Sequence, residues 1–434
     1  MITRRQVLAG SAAAMLSSQA WAARHRNVVM IMIDDLLSVV YNRRKFGLRI
    51  RTPYLDRLMA QGVSFSNAFA STALCQPSRT SILSGQNPFR TGILDNTLNW
   101  SDAVSPISTF PGIMAANGYR CFMYGKISHR PVADPPLWQS SGVCVEAKGL
   151  GFGDPDPDAG VVNMAMARLQ NDLAPRISEQ PWILMLGLIG PHGPMGEFPD
   201  FFSWYPLDQL RDQNWTGDQI ERACLEPAAQ IEADYYQQQK AAGKWPEFIQ
   251  AYFADITKMD RELGRFMNAL DASGVDATVI LSSDHGFHLG AHDIMGKFTL
   301  WDEAGRSPLV VRYPNCPAGL VIPETVSLLD IGPTILHRVG IPTPARFDGQ
   351  SLLPFILNPA LKRTSGALTT MGEAVSYRDN RYRISRYECG EIELYDQLSD
   401  PDSKNNLADE LGYETLRAMM LDKLDRRVAR WKRA

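Results

Sequence analysis

The chain has 434 residues, of which 45% are hydrophobic and 21% are charged, and its formal net charge is −3. This composition is typical of a globular protein, and a weakly acidic chain without a lysine- or arginine-rich tail argues against nucleic-acid binding. Single cores stop growing at roughly 250–300 residues, so we expect one large domain and one smaller domain.

The N-terminus has the pattern of an export signal. Arg4 and Arg5 precede a short stretch of small and apolar residues, and Ala20-Trp21-Ala22 matches an A-x-A cleavage site. The paired arginines favour the twin-arginine export machinery as a partner, so we expect a mature protein that is periplasmic or secreted. The alternative is an N-terminal membrane anchor. The apolar stretch is short for crossing a bilayer, and we expect no stable membrane insertion.

Four apolar runs have the length and composition of buried strands. Such runs are typical of the central strands of a parallel sheet, because both faces of those strands are covered. Helical patterns lie between them, so the order of elements predicts an α/β sandwich with a large, mostly parallel central sheet flanked by helices. The predicted strands are 27–33, 182–189, 278–283 and 308–313, and the predicted helices are 52–62, 248–270 and 326–339.

The C-terminal part changes to the pattern of a small antiparallel sheet. Residues 375–384 alternate around an Asp379-Asn380 turn, which predicts a hairpin. Residues 391–396 are predicted to form a further strand, and a closing helix is predicted from about Glu410.

These patterns divide the chain into three parts. We expect a signal peptide at 1–22, a large α/β domain at 23–348 and a C-terminal antiparallel subdomain at 349–434. Two stretches, 149–160 and 193–244, have irregular patterns. The first is rich in Gly, Asp and Pro and is predicted to be a loop.

The six cysteines do not have the spacing of a metal-binding cluster. No C-x-x-C pair occurs, whereas export would permit disulfides. If Cys75 is reserved for chemistry, five cysteines remain and at least one is a free thiol. Cys121, inside an apolar stretch, is the candidate. The six are Cys75, Cys121, Cys144, Cys224, Cys316 and Cys389.

Polar residues follow three of the predicted strands. Asp34 and Asp35 follow the first, His192 follows the second, and Asp284 and His285 follow the third. Ligands of α/β sheets bind beyond the carboxyl ends of the strands, so these side chains predict one site. Oxygen-rich ligand sets suit Ca²⁺ or Mg²⁺. A single Asp pair in isolation has the alternative interpretation of a helix cap or a solvated turn.

Three histidines, His285, His288 and His292, offer a rival interpretation as a zinc site on a helix. The two glycines between them and the strand just before them argue against a regular helix. For His288 and His292 we therefore expect polar contacts within a loop rather than metal ligation.

The motif Cys75-Gln76-Pro77-Ser78-Arg79 resembles the C-x-P-S-R signature of the sulfatase family. In that family a formylglycine-generating enzyme oxidises the cysteine to formylglycine, whose hydrated aldehyde is the nucleophile. The alternative is a chance Cys-Pro turn leading into a helix. Gln76 departs from the small residues that are common at this position.

Further stretches are similar to sulfatases, in particular to the iduronate-2-sulfatase type. The Asp-His pair, the G-K-x-x-H spacing and Pro191-His192 carry that closer similarity. The matching stretches are 33–35, 52–58, Gly125-Lys126-Ile127-Ser128-His129, Ser283-Asp284-His285-Gly286, Lys297, 348–354 and 393–396.

The resemblance implies a calcium site, with Mg²⁺ as the alternative ion. Its ligands would be Asp34, Asp35, Asp284, His285 and the group derived from Cys75. His285 stands where many relatives have Asn or Gln, so a sulfate contact is its alternative role.

The resemblance also implies roles for residues around the sulfate. Arg79 would support the nucleophile and the metal end of the site, and Lys126 and Lys297 would bind sulfate oxygens. His192 would be the general acid for the leaving alcohol and would also contact the substrate, and His129 would be the general base.

The family implies hydrolysis of a sulfated carbohydrate, and the iduronate-type similarity favours a 2-O-sulfated uronic acid residue. Residues 41–51 hold five basic side chains that could attract a polyanion, or could simply lie in a solvated loop. A phosphonate monoester or phosphate diester hydrolase of the same superfamily is the alternative enzyme. A glycan-binding protein with a degenerate site is the non-enzymatic alternative.

Overall fold

The computed structural model describes residues 27–43, 45–129, 134–148, 156–175, 180–195, 199–218 and 220–432. The predicted signal peptide, with its paired arginines, lies outside the described residues, as does most of the predicted loop at 149–160. The elements below belong to the described ranges.

The strands and helices alternate along most of the chain. The strands are β1 (Asn27–Ile33), β2 (Val63–Phe69), β3 (Arg120–Gly125), β4 (Glu146–Lys148), β5 (Trp182–Leu188), β6 (Ala277–Ser283), β7 (His288–Leu289), β8 (Met295–Gly296), β9 (Arg306–Ser307), β10 (Leu309–Arg312), β11 (Leu320–Ser327), β12 (Ala367–Met371), β13 (Ala374–Arg378), β14 (Tyr382–Arg386) and β15 (Ile392–Asp396). The helices are α1 (Val39–Asn42), α2 (Pro53–Gln61), α3 (Cys75–Ser84), α4 (Pro88–Thr91), α5 (Trp100–Ala103), α6 (Phe110–Ala116), α7 (Asp134–Ser140), α8 (Pro157–Arg168), α9 (Pro199–Phe202), α10 (Pro227–Ala241), α11 (Trp245–Ala272), α12 (Asp302–Gly305), α13 (Ile331–Arg338), α14 (Leu353–Leu357) and α15 (Glu414–Lys432).

A nine-stranded sheet forms the centre of the fold, in the order β11-β2-β10-β6-β1-β5-β3-β4, with β9 beside β2. Its central strand β1 is parallel to both neighbours, β5 and β6, whereas β10 is antiparallel to β6 and β2. The prediction of a large, mostly parallel sheet flanked by helices, with a small antiparallel sheet beside it, is confirmed.

The apolar run of β1 explains its central position, because all seven of its residues are buried. Side chains alternate between the two faces of a strand. Val29 and Ile31 pack with Phe253 of α11 in the core on one face, whereas Met30 packs with Phe110 of α6 in the core on the other. A strand covered on both faces tolerates only apolar side chains, which is why the run is continuous.

The register of the sheet brings three strand ends to one level. Ile33, the last residue of β1, is paired with Leu188 of β5 and with Ser283 of β6. The backbone then continues the pairing, because Asp34 N–H donates to Leu188 and Asp284 N–H donates to Ile33, both at 3.1 Å. The residues that follow β1, β5 and β6 therefore begin at the same edge.

Two glycines allow a fourth strand end to approach the same edge. A Cβ on Gly187 would lie 2.1 Å from the Lys126 carbonyl oxygen. Gly125 has a φ of +78°, and a Cβ there would lie 2.1 Å from the Gly187 carbonyl oxygen. Because only glycine fits at both positions, the chain can turn at the end of β3 and carry Lys126 into the site.

The second sheet has four antiparallel strands in the order β12-β13-β14-β15, and α15 packs on it. The predicted hairpin and the following strand correspond to β13, β14 and β15. The boundary at residue 349 stays a prediction. Leu352, Leu353 and Ile356 pack in the core beside the large sheet, whereas the small sheet begins at Ala367.

A disulfide joins Cys224, three residues before α10, to Cys389 in the turn between β14 and β15, closing a sequence separation of 165 residues. The other four cysteines are free thiols. The expectation of a buried free thiol at Cys121 is confirmed, because this side chain is fully buried and its pKa is raised by burial to about 12.

Two predicted boundaries were wrong. The helix predicted at 326–339 begins only at Ile331, because Val326 and Ser327 end strand β11 and the Ser327 side chain caps the next turn. The stretch 193–244, read as irregular, contains the fifteen-residue helix α10. Within the described ranges, none of the helices combines the length with the apolar character that a membrane span requires.

Candidate active site

Three buried carboxylates lie together at the ends of β1 and β6. Oxygen atoms of Asp34, Asp35 and Asp284 all lie within 4.8 Å of one another. Asp35 has a φ of +57°, a left-handed conformation that Asp adopts more readily than most residues. Two hydrogen bonds fix it there. Its N–H donates to Asp284 Oδ1 at 3.2 Å, and its carbonyl oxygen accepts from the Tyr252 hydroxyl at 2.6 Å.

Cys75 is the first residue of α3 and faces these carboxylates. Its Sγ is 3.8 Å from Asp35 Oδ1 and 3.4 Å from His285 Nε2, and its side chain is buried. The start of a helix carries partial positive charge, which favours an anion at this position. The chance Cys-Pro turn is therefore a weaker interpretation than a reactive group held at a helix start.

Gln76, the departure from the common motif, has a structural role. Its backbone N–H donates to Asn96 Oδ1 at 3.0 Å. Its side-chain amide donates to the carbonyl oxygens of Asp95 and Leu98. A smaller residue would leave these carbonyl groups without that donor, so Gln76 fits the loop that covers the start of α3 in this chain.

Arg79 lies one turn along α3 and is fully buried beneath the carboxylates. Its Nε donates to Asp284 Oδ2 at 2.8 Å, one terminal nitrogen donates to Asp34 Oδ1 at 3.1 Å, and the other donates to the Lys126 carbonyl oxygen. These contacts raise the pKa of the guanidinium against the effect of burial. These hydrogen bonds make Arg79 a support for Asp34 and Asp284.

Two lysines complete the ring of charge around Cys75. Lys297 Nζ is 2.6 Å from Asp35 Oδ1 and donates to Cys75 Sγ at 3.1 Å. Lys126 Nζ makes an ion pair with Asp34. Burial opposes the shift, yet Lys297 and Lys126, with His285 and a hydrogen bond involving His129, hold the pKa of the Cys75 thiol well below its usual range.

Two further imidazoles reach the same sulfur. His129 and His192 are each half-buried and each hydrogen-bond with Cys75. His192 Nδ1 lies 2.6 Å from the Gly193 carbonyl oxygen, and its Nε2 lies 3.7 Å from Asp35 Oδ2. Burial lowers the pKa of His192, but the nearby charges of Asp34 and Asp35 raise it above its usual value. This favours the protonated form that a general acid needs.

His285 is oriented like a metal-binding histidine. Its Nδ1 lies 2.9 Å from the Gly286 carbonyl oxygen, which assigns the proton to Nδ1. Its Nε2 lies 3.4 Å from both Asp35 Oδ1 and Cys75 Sγ and would carry the ligating lone pair in the neutral imidazole. Burial lowers the pKa of His285, but the charges of Asp284 and Cys75 raise it to about 9, so a bound cation would have to displace the Nε2 proton. The same position also suits a contact to sulfate, so both predicted roles remain open to it.

The donor set fits a hard divalent cation. Asp34, Asp35 and Asp284 supply buried oxygens, and burial, with Asp34 nearby, raises the pKa of Asp284 against the pull of His285 and Arg79. A cation would favour the ionised form of all three acids. Oxygen ligands at this density are typical of Ca²⁺ or Mg²⁺ sites.

The rival zinc interpretation has no support among the described side chains. His288 Nε2 bonds Thr299 Oγ1 at 2.8 Å, as expected for a loop contact. His292 differs from that expectation, because its ring stacks between Trp215 and Trp301 and neither ring nitrogen has a hydrogen-bond partner among the described atoms. Burial lowers the pKa of His288 to about 3.

Three basic side chains of the stretch 41–51 form ion pairs with carboxylates of this chain. This favours the interpretation as a loop over that as a polyanion-binding surface. Arg44 lies outside the described residues. The ion pairs are Arg43–Asp56, Arg49–Asp56 and Lys45–Asp402.

Sequence reasoning missed supporting residues whose roles depend on contacts across the sheet. Ser78 Oγ donates to the Asp284 carbonyl oxygen at 2.5 Å, and Ser283 Oγ accepts from Leu36 N–H at 2.9 Å. Asp158, fully buried, accepts from the N–H groups of Ile189 and Gly190, which lead to His192. Only the S-R and S-D dipeptides of the motifs gave a signal for the serines.

Comparison with known proteins places this geometry in a family. The family model described as Sulfatase matches residues 26–341, and one described as N-sulphoglucosamine sulphohydrolase, C-terminal, matches residues 290–430. The chain is 31% identical over 449 residues to a protein named Sulfatase from Formosa agariphila, covering 91% of this chain and 86% of the relative. It is 26% identical over 393 residues to iduronate 2-sulfatase of Mus musculus, covering 74% and 70%.

Solved structures share the fold. A protein in complex with its substrate D-glucosamine-2-N,6-O-disulfate superposes with a TM-score of 0.74 at 21% identity, covering 94% of this chain and 98% of that chain. The phosphonate monoester hydrolase of Silicibacter pomeroyi gives 0.72 at 20% identity, with 94% and 96% covered. From the matched family model, the similar relatives and the site together, the chain belongs to the sulfatase family and is a sulfuric ester hydrolase.

Proposed function

We propose that this sulfatase releases inorganic sulfate from a sulfated carbohydrate, and that the sulfated unit is a 2-O-sulfated uronic acid. The observation that carries the proposal is the position of Cys75, buried at a helix start between three carboxylates and two lysines. The iduronate-type motifs and the relative from Mus musculus support the uronic acid.

Two groups that the chain acquires after synthesis complete the active site. They are formylglycine at residue 75 and a metal ion. Formylglycine, made from Cys75 by a formylglycine-generating enzyme, supplies a hydrated aldehyde whose hydroxyl attacks sulfur. Asp34, Asp35, Asp284 and His285 would hold a calcium ion, which would supply positive charge beside the sulfate and lower the pKa of that hydroxyl.

The chain's own side chains bind the sulfate and move protons. Lys126 and Lys297 offer ammonium groups to sulfate oxygens, so they stabilise charge that shifts in the transition state. Arg79 holds Asp34 and Asp284 in place. His192 donates a proton to the leaving alcohol oxygen as the bond from sulfur to that oxygen breaks. His129 then accepts the proton of the second hydroxyl at residue 75, so that the carbon–oxygen bond to sulfate breaks, the aldehyde re-forms and sulfate leaves.

A direct test combines peptide mass and sulfate release. Enzyme co-expressed with a formylglycine-generating enzyme is digested, and the peptide containing residue 75 is weighed. The converted enzyme should release sulfate from a disaccharide with a 2-O-sulfated uronic acid. A persistent thiol at residue 75 with no activity would favour the glycan-binding alternative. Rapid aryl sulfate hydrolysis with no action on the disaccharide would contradict the substrate.

The phosphonate monoester hydrolase that shares the fold gives a second candidate activity. Such an enzyme would use the same nucleophile on a phosphonate or phosphate ester. Parallel assays with 4-nitrophenyl sulfate and 4-nitrophenyl phenylphosphonate separate the two activities. A kcat/KM that is higher on the phosphonate would favour this candidate over the sulfatase.

Removal of metal should abolish sulfate release and lower thermal stability. Three carboxylates buried within 4.8 Å of one another repel when the cation is withdrawn. A ligand present at 100 times its Kd stabilises the fold by about 2.7 kcal/mol, so the midpoint of thermal unfolding should fall on chelation. Dialysis against EDTA, followed by Ca²⁺ or Mg²⁺, measures both. Full activity in protein shown by elemental analysis to be metal-free would contradict this expectation.

Replacement of His192 by alanine should distinguish acid from base. A general acid contributes about 10²–10⁴-fold when the leaving group is a poor one. We expect the His192→Ala enzyme to lose at least about 10²-fold in kcat/KM on the saccharide, and much less on 4-nitrophenyl sulfate, whose leaving group departs without protonation. His129→Ala should lower both rates alike. The control is His337→Ala, which replaces an exposed histidine of α13 and should leave both rates unchanged. The reverse pattern would exchange the two roles.

A further inference from the structure

Glu232 brings an additional carboxylate to the edge of the active site. It lies on α10, and its carboxylate packs against Gly296, the residue directly before Lys297. A Cβ on Gly296 would lie 2.5 Å from Glu232 Cδ and 2.6 Å from its Oε2. Because Lys297 donates to Cys75 Sγ, Glu232 stands one residue away from the contact that holds the nucleophile position.

The Glu232 side chain is partly shielded from water. Glu232 is half-buried, and no described side chain or backbone group donates a hydrogen bond to it. Burial raises its pKa to about 7, although the charge of Lys297 opposes the shift and that of Asp35 adds to it. The Glu232 carboxylate is therefore available to accept a hydrogen bond from an external donor that docks there.

A row of aromatic rings begins one helical turn from Glu232. Tyr235, one turn further along α10, lies with its ring centroid 6.1 Å from that of Phe248, and Phe248 stacks on Phe287 at 6.5 Å and 12°. Phe287 follows His285 by two residues, so the row of rings leads towards the metal ligands. A carboxylate beside aromatic faces offers hydrogen bonds to hydroxyl groups and apolar surface to the ring carbons of a sugar.

We propose that Glu232 is a specificity-determining residue that accepts a hydrogen bond from the hydroxyl group on the carbon next to the sulfated carbon. The inference rests on the proposed function and adds the part of the sugar that is recognised. A hydroxyl that donates to Glu232 stabilises its ionised form, and in that form the carboxylate only accepts hydrogen bonds, so it selects a hydroxyl and repels a second sulfate at that position. In a 2-O-sulfated uronic acid this hydroxyl is at C3, and the carboxylate on C5 is across the ring.

The test compares Glu232→Gln with wild type on three substrates. These are a disaccharide with a 2-O-sulfated uronic acid, its 3-deoxy analogue and 4-nitrophenyl sulfate, which has no neighbouring hydroxyl. Enzyme preparations are matched for conversion of Cys75 by peptide mass. A hydrogen bond to a charged group corresponds to roughly 10- to 100-fold in kcat/KM. We expect that loss for Glu232→Gln on the disaccharide and less than about twofold on the aryl sulfate.

The deoxy analogue completes a double-mutant type of cycle, in which either Glu232 or the substrate hydroxyl is removed. Wild type should lose the same factor on the analogue, and Glu232→Gln should lose nothing further. Glu247→Gln, an exposed acid at the start of α11, is the matched control and should equal wild type on all three substrates.

Equal losses on the disaccharide and the aryl sulfate would mean that Glu232 acts through Lys297, and would overturn the inference while leaving the sulfatase activity intact. No loss on either substrate would overturn it in the same way. Wild type that leaves the disaccharide uncleaved would overturn the proposed substrate, and the inference with it.

Discussion

Replacement of Cys75 by alanine should abolish sulfate release. The variant has no group that can become formylglycine, and removal of a nucleophile leaves only the binding and electrostatic contributions of a site. We expect kcat/KM on any sulfate ester to fall by at least about 10⁴-fold, to the background of the assay. The fold should persist, because alanine fits the space of the buried cysteine at the start of α3. Sulfate release is measured by ion chromatography, and the fold by circular dichroism.

Cys316→Ala is the matched control for this experiment. Cys316 is a half-buried free thiol, and its Sγ donates to the Gln61 carbonyl oxygen at 3.5 Å. This variant should retain full activity. If Cys75→Ala kept more than about a hundredth of wild-type kcat/KM, another residue would be the nucleophile and the mechanism would be wrong.

Replacement of Asp330 by alanine should lower the free energy of unfolding strongly. Asp330 is fully buried and pairs with Arg363 through both carboxylate oxygens, at 2.5 and 3.2 Å. The same carboxylate accepts from the N–H groups of Ser327 and Gln350, at 2.9 and 2.8 Å. Removal of one partner of a buried pair leaves the other charge unpaired, which lowers the free energy of unfolding by about 3–5 kcal/mol. Urea denaturation followed by fluorescence measures the change.

The control for this prediction is an exposed pair of the same chemistry. Asp425 pairs with Arg386 at 2.6 Å, with 55% and 38% of the two side chains exposed. Exposed pairs contribute about 0–1 kcal/mol, so Asp425→Ala should change the urea midpoint little. If both variants lost equal stability, the link that Asp330 makes between β11, the 348–354 motif and Arg363 would not be a stabilising one.

Much of the site was predictable because strand ends give a strong signal. The apolar runs of β1, β5 and β6 had to be buried, and parallel strands bring their carboxyl ends to one edge. Asp34, His192 and Asp284 therefore lie together without any reference to a family. Their grouping needed only the period of the apolar residues and the position of the first polar one. The motif at Cys75 then identified the chemistry that such an edge performs.

The remainder depended on contacts that the apolar pattern does not encode. Helix α10 was missed because its buried face consists of Ala229, Ala233 and Tyr236. These have helical spacing, but two are small and the third carries a hydroxyl, so the apolar signal is weak. Glu232 lies on this helix, so its position near the active site was missed as well. The end of β11 was misread as helix because Val326 is followed closely by the apolar residues Leu328, Leu329 and Ile331, and the capped turn at Ser327 separates the strand from the helix. Local composition cannot separate these cases, since tertiary packing decides them.

The disulfide between Cys224 and Cys389 has a consequence for how specificity can diverge within such a fold. It ties the segment that leads into α10 to a turn of the small sheet, 165 residues further along the chain. We expect insertions or deletions in that turn to move α10, and Glu232 with it, while leaving the ends of β1 and β6 in place. On the proposed role of Glu232, we therefore expect changes in the C-terminal hairpin to alter which sugar is accepted without disturbing the nucleophile.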